Sequence, residues 1–122
     1  MKKILIVDDE QDIRELLKKR LEQNKYSAIT ASGGEEALNI SKAERPDLVL
    51  LDIAMPGLDG YQTCERLRKE RVTKDIPVLF LTAKDLKPEG ILGRYADLGN
   101  CAYLPKPAKF SELLAKIKEI IG

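Results

Sequence analysis

Histidine is absent from this 122-residue chain, and no other gap in its composition excludes more chemistry. Without imidazole there is no Ser-His-Asp or Cys-His device and no histidine-completed zinc set, so acid–base work falls to carboxylates and lysines. Cysteine is scarce. Cys64 and Cys101 are the only two; they form no C-x-x-C pair and are expected as reduced, half-buried thiols. No apolar run approaches the roughly 20 residues of a membrane span, and the N-terminus lacks a secretory pattern, so the expected location is cytoplasmic. A formal net charge of +1 gives no general attraction to nucleic acid or an anionic membrane, and neither is expected as a direct partner. The chain shows no internal repeat, linker or low-complexity tail.

What is present is an ordinary globular balance, 43% hydrophobic and 34% charged, at a length that suits one domain, residues 1–122. Apolar runs alternate five times with amphipathic stretches. Ile4–Val7 reads as a buried strand, and Ile13, Leu16, Leu17 and Leu21 mark a helix from about Gln11 to Asn24. Tyr26–Ala31 is a second strand, followed past Gly33 and Gly34 by a helix over Glu35–Glu44. Arg45-Pro46-Asp47 breaks that helix before the strand Leu48–Leu51. The turn-rich loop Met55–Gly60 opens a helix with the stripe Tyr61, Cys64 and Leu67, and Asp59 is its expected cap. Ile76–Leu81 is the fourth strand, with Pro77 near its start. A fourth helix around Ile91, Leu92, Tyr95 and Leu98 is expected to be irregular, because Gly90 and Gly93 disfavour a helix interior. Cys101–Leu104 is the fifth strand, and Phe110, Leu113, Leu114, Ile117 and Ile121 mark the last helix. Five β–α units with right-handed crossovers give an α/β, doubly wound parallel sheet, (βα)5. The spacing leaves the strand order open.

The acids lie where such a sheet binds ligands, beyond the carboxyl ends of its strands. Asp8 and Asp9 follow the first run and Asp52 follows the third. If those strands are neighbours, their spacing of about 4.8 Å brings the three carboxylates together. Bare, they repel, and at least one pKa rises; a hard divalent cation such as Mg²⁺ relieves the conflict. Thr82 follows the fourth run and Lys106 the fifth. Carboxylates for a cation, a hydroxyl donor and an ammonium together make a cradle for a phosphoryl group, with one carboxylate as nucleophile. Taken alone, Asp8 or Asp9 would cap the following helix, and Asp9 can serve as both cap and ligand.

Four fragments now carry a family resemblance: Lys3–Glu10 with its acid pair, Leu51-Asp52 with Met55-Pro56-Gly57 and Asp59-Gly60, Thr82-Ala83, and Tyr103-Leu104-Pro105-Lys106-Pro107. In this order, and over essentially the whole chain, they resemble a response-regulator receiver domain of the two-component systems, of the single-domain chemotaxis or sporulation-relay kind. The resemblance implies a flavodoxin-like five-stranded sheet of order 2-1-3-4-5. It also implies Asp52 as phosphoacceptor and Asp8, Asp9, Asp52 and the backbone carbonyl of Ala54 around Mg²⁺, with Asp8 acting through a water and Mn²⁺ able to substitute. Thr82 and Lys106 would contact the phosphoryl oxygens, and Tyr103 would be the aromatic switch. The Lys106–Pro107 bond is expected to be cis. The implied donor is a histidine kinase or histidine phosphotransfer protein. A downstream protein would read the face formed by the fourth helix, fifth strand and last helix, on a monomer or weak dimer.

This chain departs from the family pattern at Asn100-Cys101-Ala102, and it has a small Ala54 and a Lys84 flanking the phosphoryl position. The leading expectation is a stand-alone phosphorelay receiver or protein-binding switch. The alternatives are a receiver cut from a longer regulator with its own output domain, or a receiver that binds partners without phosphorylation. A haloacid-dehalogenase-type phosphatase fits poorly, because its acids would stand at alternate positions, whereas Asp8 and Asp9 are adjacent.

Overall fold

The computed structural model describes residues 1–82, 98–106 and 108–122. Five parallel strands, β1 (Lys3–Val7), β2 (Ser27–Ala31), β3 (Leu48–Asp52), β4 (Val78–Thr82) and β5 (Cys101–Pro105), form one sheet of order β2-β1-β3-β4-β5. Four helices are among the described residues: α1 (Gln11–Gln23), α2 (Gly34–Glu44), α3 (Gly60–Lys69) and α4 (Phe110–Ile121). The expected helix around Ile91–Leu98 falls almost wholly outside the described residues, as do Lys84, Gly90, Gly93 and Pro107. The order required to make β1 and β3 neighbours is present, with Val7 opposite Leu51.

Strand side chains alternate between two cores, which explains why the runs are apolar throughout. Leu5, Val7, Val49, Leu51, Val78 and Phe80 face Ala37 and Leu38 of α2 and Tyr61, Cys64 and Leu67 of α3. Ile4, Ile6, Leu48, Leu50, Leu79 and Leu81 face Leu21 of α1 and Leu113 and Ile117 of α4. Each wholly buried side chain of this size contributes about 1.5–3 kcal/mol of transfer free energy. On the first face the rings of Tyr61, Phe80 and Tyr103 follow one another at centroid distances of 5.0 and 5.1 Å.

Local chemistry sets most boundaries, and the start of β4, the cap of α1 and the burial of Cys64 differ from expectation. The fourth strand starts at Val78 rather than Ile76, since Pro77 has no N–H and contributes only its carbonyl, which accepts from Val49 at 3.0 Å. The cap of α1 is Glu10, without a side-chain bond, so neither Asp8 nor Asp9 caps that helix. Cys64 is fully buried rather than half-buried, and burial pushes its thiol up to about 11, which keeps it inert. Asp59 does cap α3. Its Oδ1 accepts from Gln62 N at 2.8 Å and Gln62 Oε1 accepts from Asp59 N at 3.0 Å, a reciprocal capping box. Gly60 is needed directly after it: a Cβ there would lie 2.7 Å from the Asp52 carbonyl oxygen and 2.8 Å from Ile53 Cα.

Candidate phosphoryl-transfer site

The site forms at the carboxyl edge of the sheet. Because Val7 pairs with Leu51, Asp8 and Asp52 emerge from β1 and β3 side by side. Ligand atoms of Asp8, Asp9 and Asp52 lie within 4.8 Å of one another. Asp8 and Asp52 are buried, while Asp9 is exposed. Asp8 Oδ1 accepts from Glu10 N at 2.8 Å, which folds the acid turn back on itself. Asp52 Oδ1 accepts from Ala54 N at 3.3 Å.

Lys106, just beyond β5, reaches both buried acids. Its Nζ stands 3.4 Å from Asp52 Oδ1 and 3.7 Å from Asp8 Oδ2. Burial raises the pKa of Asp52, Lys106 opposes the rise, and the charge of Asp8 adds to it. Asp8 Oδ2 is buried without a hydrogen bond. One ammonium therefore serves two buried carboxylates, leaving a buried lone pair unused and Asp9 free of any hydrogen bond among the described residues. A small oxygen-seeking cation fits this donor set: it would complete Asp8 Oδ2 and relieve the repulsion that Lys106 only partly offsets.

The stability consequence has a definite sign. An acid whose folded pKa lies above its unfolded 3.8 contributes stability that is present below pH 3.8 and lost as pH rises through the folded value. At pH 7 without metal, ionised Asp52 is therefore a cost, and Asp52→Asn removes it. The variant is expected to melt higher than wild type at pH 7, with the gap closing as pH falls through the raised Asp52 value. Thermal scans across pH in chelator check this; equal or lower melting of the variant at pH 7 refutes it.

Thr82 ends β4 opposite Pro105, so its backbone arrives at the same edge; its side chain lies outside what the structure describes. Tyr103 stands on β5 with its ring stacked on Phe80. Its hydroxyl is buried without a hydrogen-bond partner among the described residues, and burial followed by Cys101 pushes its pKa up. Two contributors escaped the reading of periodicity. Arg14 Nη1 donates to the Asp8 carbonyl at 2.7 Å, although its position placed it on the polar face of α1. Gly60, expected only as a turn former, is the residue that lets α3 approach the Asp52 peptide.

The model of the response regulator receiver domain family matches residues 4–118. The chain belongs to that family. Among curated relatives, this receiver is 45% identical over 120 residues to the alkaline phosphatase synthesis transcriptional regulatory protein PhoP of Bacillus subtilis, covering 98% of this chain and 48% of that protein. It is 43% identical over 119 residues to the response regulator MprA of Mycolicibacterium vanbaalenii, covering 98% and 50%. The receiver thus spans about half the length of the curated relatives it matches. Among solved structures, the chemotaxis protein CheY4 of Vibrio cholerae superposes with a TM-score of 0.88 at 30% identity, covering 98% of both chains. The response regulator TrrA of Thermotoga maritima, solved in complex with Mg²⁺-BeF, superposes at 0.82 with 38% identity, covering 98% of this chain and 99% of that one. The receiver family and its fold are thereby established. No helix among the described residues is long and apolar enough to cross a membrane.

Proposed function

We propose that this receiver accepts a phosphoryl group on Asp52 from a phosphohistidine of a partner, with a divalent cation held by Asp8, Asp9, Asp52 and the Ala54 carbonyl. The observation that carries the reading is the packing of three carboxylates within 4.8 Å, with Lys106 Nζ 3.4 Å from Asp52 Oδ1. The TrrA complex with Mg²⁺-BeF supports the choice of Mg²⁺, and the same oxygen set suits Mn²⁺. When bound, the cation supplies positive charge against the phosphoryl oxygens.

The chain's own residues do the rest. A carboxylate oxygen of Asp52 attacks phosphorus in line; the new O–P bond forms as the P–N bond to the donor imidazole breaks, and that imidazole leaves with the bond's electron pair. Lys106, already poised over Asp52, follows the charge onto the transferred oxygens. The Thr82 hydroxyl donates to another oxygen, and Tyr103 turns in response, so that the face that includes β5 and α4 changes its preferred packing. Water later attacks phosphorus; the O–P bond to Asp52 breaks with its electron pair staying on the restored carboxylate, and inorganic phosphate leaves with the water's oxygen. The donor is a histidine kinase or phosphotransfer protein, because this chain has no histidine of its own. The location is cytoplasmic, and the downstream partner is a protein.

The test is intact mass after incubation with acetyl phosphate, with and without Mg²⁺, beside Asp52→Asn. A Mg²⁺-dependent gain of one phosphoryl group, absent in the variant, is expected. No gain in any condition overturns the reading in favour of a phosphorylation-independent binding module. A second reading has its own support: the curated relatives are about twice as long, and PhoP is a transcriptional regulatory protein. In that reading this receiver controls a further domain, and the size of the product in the source cell separates it from a stand-alone relay.

A further inference from the structure

We propose that Arg14 is a positioning residue of the cation site: its guanidinium fixes the Asp8–Asp9 peptide and thereby aims the Asp9 carboxylate at the cation. The inference rests on the reading of Asp8, Asp9 and Asp52 as cation ligands and deepens it.

Three observations converge on that peptide. Arg14 Nη1 donates to the Asp8 carbonyl oxygen at 2.7 Å, a short, charge-assisted bond. On the other side of the turn, Glu10 N donates to Asp8 Oδ1 at 2.8 Å, which settles the Asp8 side chain but not the peptide plane. Asp9 is exposed and accepts no hydrogen bond among the described residues, so its direction is inherited from its backbone. Arg14 is the only side chain among the described residues that bonds to the Asp8–Asp9 peptide. It is anchored in turn by its place in α1, where Arg14 N donates to Glu10 O at 3.2 Å.

Electrostatics alone opposes this arrangement. A cation beside a divalent-cation site lowers its affinity, so a guanidinium that acted only through charge would weaken binding. The two roles therefore predict opposite signs for the same substitution. If Arg14 orients the peptide, losing the guanidinium weakens the site, because Asp9 must be ordered when the ion binds. If it only adds charge, losing it tightens the site.

The experiment measures Mn²⁺ affinity of the full chain by the electron paramagnetic resonance of free Mn²⁺, with Mg²⁺ as competitor, in wild type, Arg14→Met and Arg14→Lys. Methionine keeps an apolar stem and helix propensity without charge. Its affinity is expected to fall about tenfold, the lower end of what losing a residue that orients a metal ligand costs. Lysine, which keeps charge but not the planar fork, should fall between the two. Equal or tighter binding by Arg14→Met overturns the proposal. Should circular dichroism show that Arg14→Met does not fold, Arg14→Gln decides by the same sign. Absence of binding by wild type is a separate result: it removes the cation reading itself, and the proposal with it.

Discussion

Lys106→Met is expected to slow phosphoryl uptake from acetyl phosphate by about 10²–10³, the loss typical of one preorganised electrostatic donor, while tightening Mg²⁺ binding. The opposed directions follow from one position. Lys106 Nζ lies 3.4 Å from Asp52 Oδ1 and 3.7 Å from Asp8 Oδ2, and among the described residues no other cation pairs with these acids. In the resting site it competes with a metal ion for the same oxygens, so removing it leaves those oxygens to the ion. During transfer it supplies charge where the phosphoryl oxygens arrive, so removing it raises the barrier. The variant also loses the influence that holds Asp52 down against burial and against Asp8, so without metal its carboxyl titrates still higher. Uptake followed by intact mass and Mg²⁺ affinity by competition with Mn²⁺ are both needed. A rate within threefold of wild type would remove Lys106 from the transfer step, and weaker metal binding would show that it organises the acids rather than competing for them.

The sequence reveals this site because its residues sit at strand ends, where apolar runs stop abruptly. Asp8 and Asp52 each follow a run that the sheet buries, and Lys106 follows the half-buried β5, so reading where the apolar runs end is enough to find them. Adjacency is another matter. Spacing along the chain is compatible with several strand orders, and the pairing of β1 with β3 came from resemblance before the sheet displayed it. Asp59 and its capping box were legible because the bond is local, three residues in reach. Arg14 and Arg68 were not, because a basic residue on a polar helix face looks the same whether its head meets water or a carbonyl. The misplaced cap at α1 has a related cause: Asp8 and Asp9 have the right chemistry for a cap, but Asp8 spends its Oδ1 on the turn at Glu10, and the helix begins one residue later than a cap at Asp9 requires. Cys64 shows the limit of reasoning from residue type, since only the packing of α3 on the sheet decides that its thiol is wholly buried.

Arg68→Ala is expected to destabilise the fold by about 3 kcal/mol, with Gly99→Ala costing more in wild type than in the Arg68→Ala background. Arg68, near the end of α3, turns its guanidinium onto four backbone carbonyls. Nη1 donates to Lys74 O at 3.1 Å and Ile76 O at 2.7 Å, Nη2 to Asn100 O at 2.9 Å, and Nε to Leu98 O. Two of these carbonyls lie in the approach to β4 and two in the approach to β5, so one side chain gathers both strand entries beneath α3. Alanine leaves the Lys74 and Ile76 carbonyls without a donor among the described residues, while Asn100 O keeps Val78 N at 3.0 Å and Leu98 O keeps only the Cys64 Sγ contact at 3.7 Å. A bond to a charged group is worth about 1.5–3 kcal/mol, and these remaining donors keep the total below the sum. Lysine recovers little, because an ammonium lacks the fork that serves four acceptors. Gly99 has a φ of +73°, and a Cβ there would meet Arg68 Nε at 2.8 Å. A free arginine would swing aside, but this one is held by its carbonyls, so Gly99→Ala carries backbone strain of about 1–2 kcal/mol plus a contact that only Arg68 imposes. A double-mutant cycle in urea isolates that second part. Coupling above about 0.5 kcal/mol shows the clasp to be rigid, and additive costs show that Arg68 yields and that its four bonds are weaker than their geometry implies.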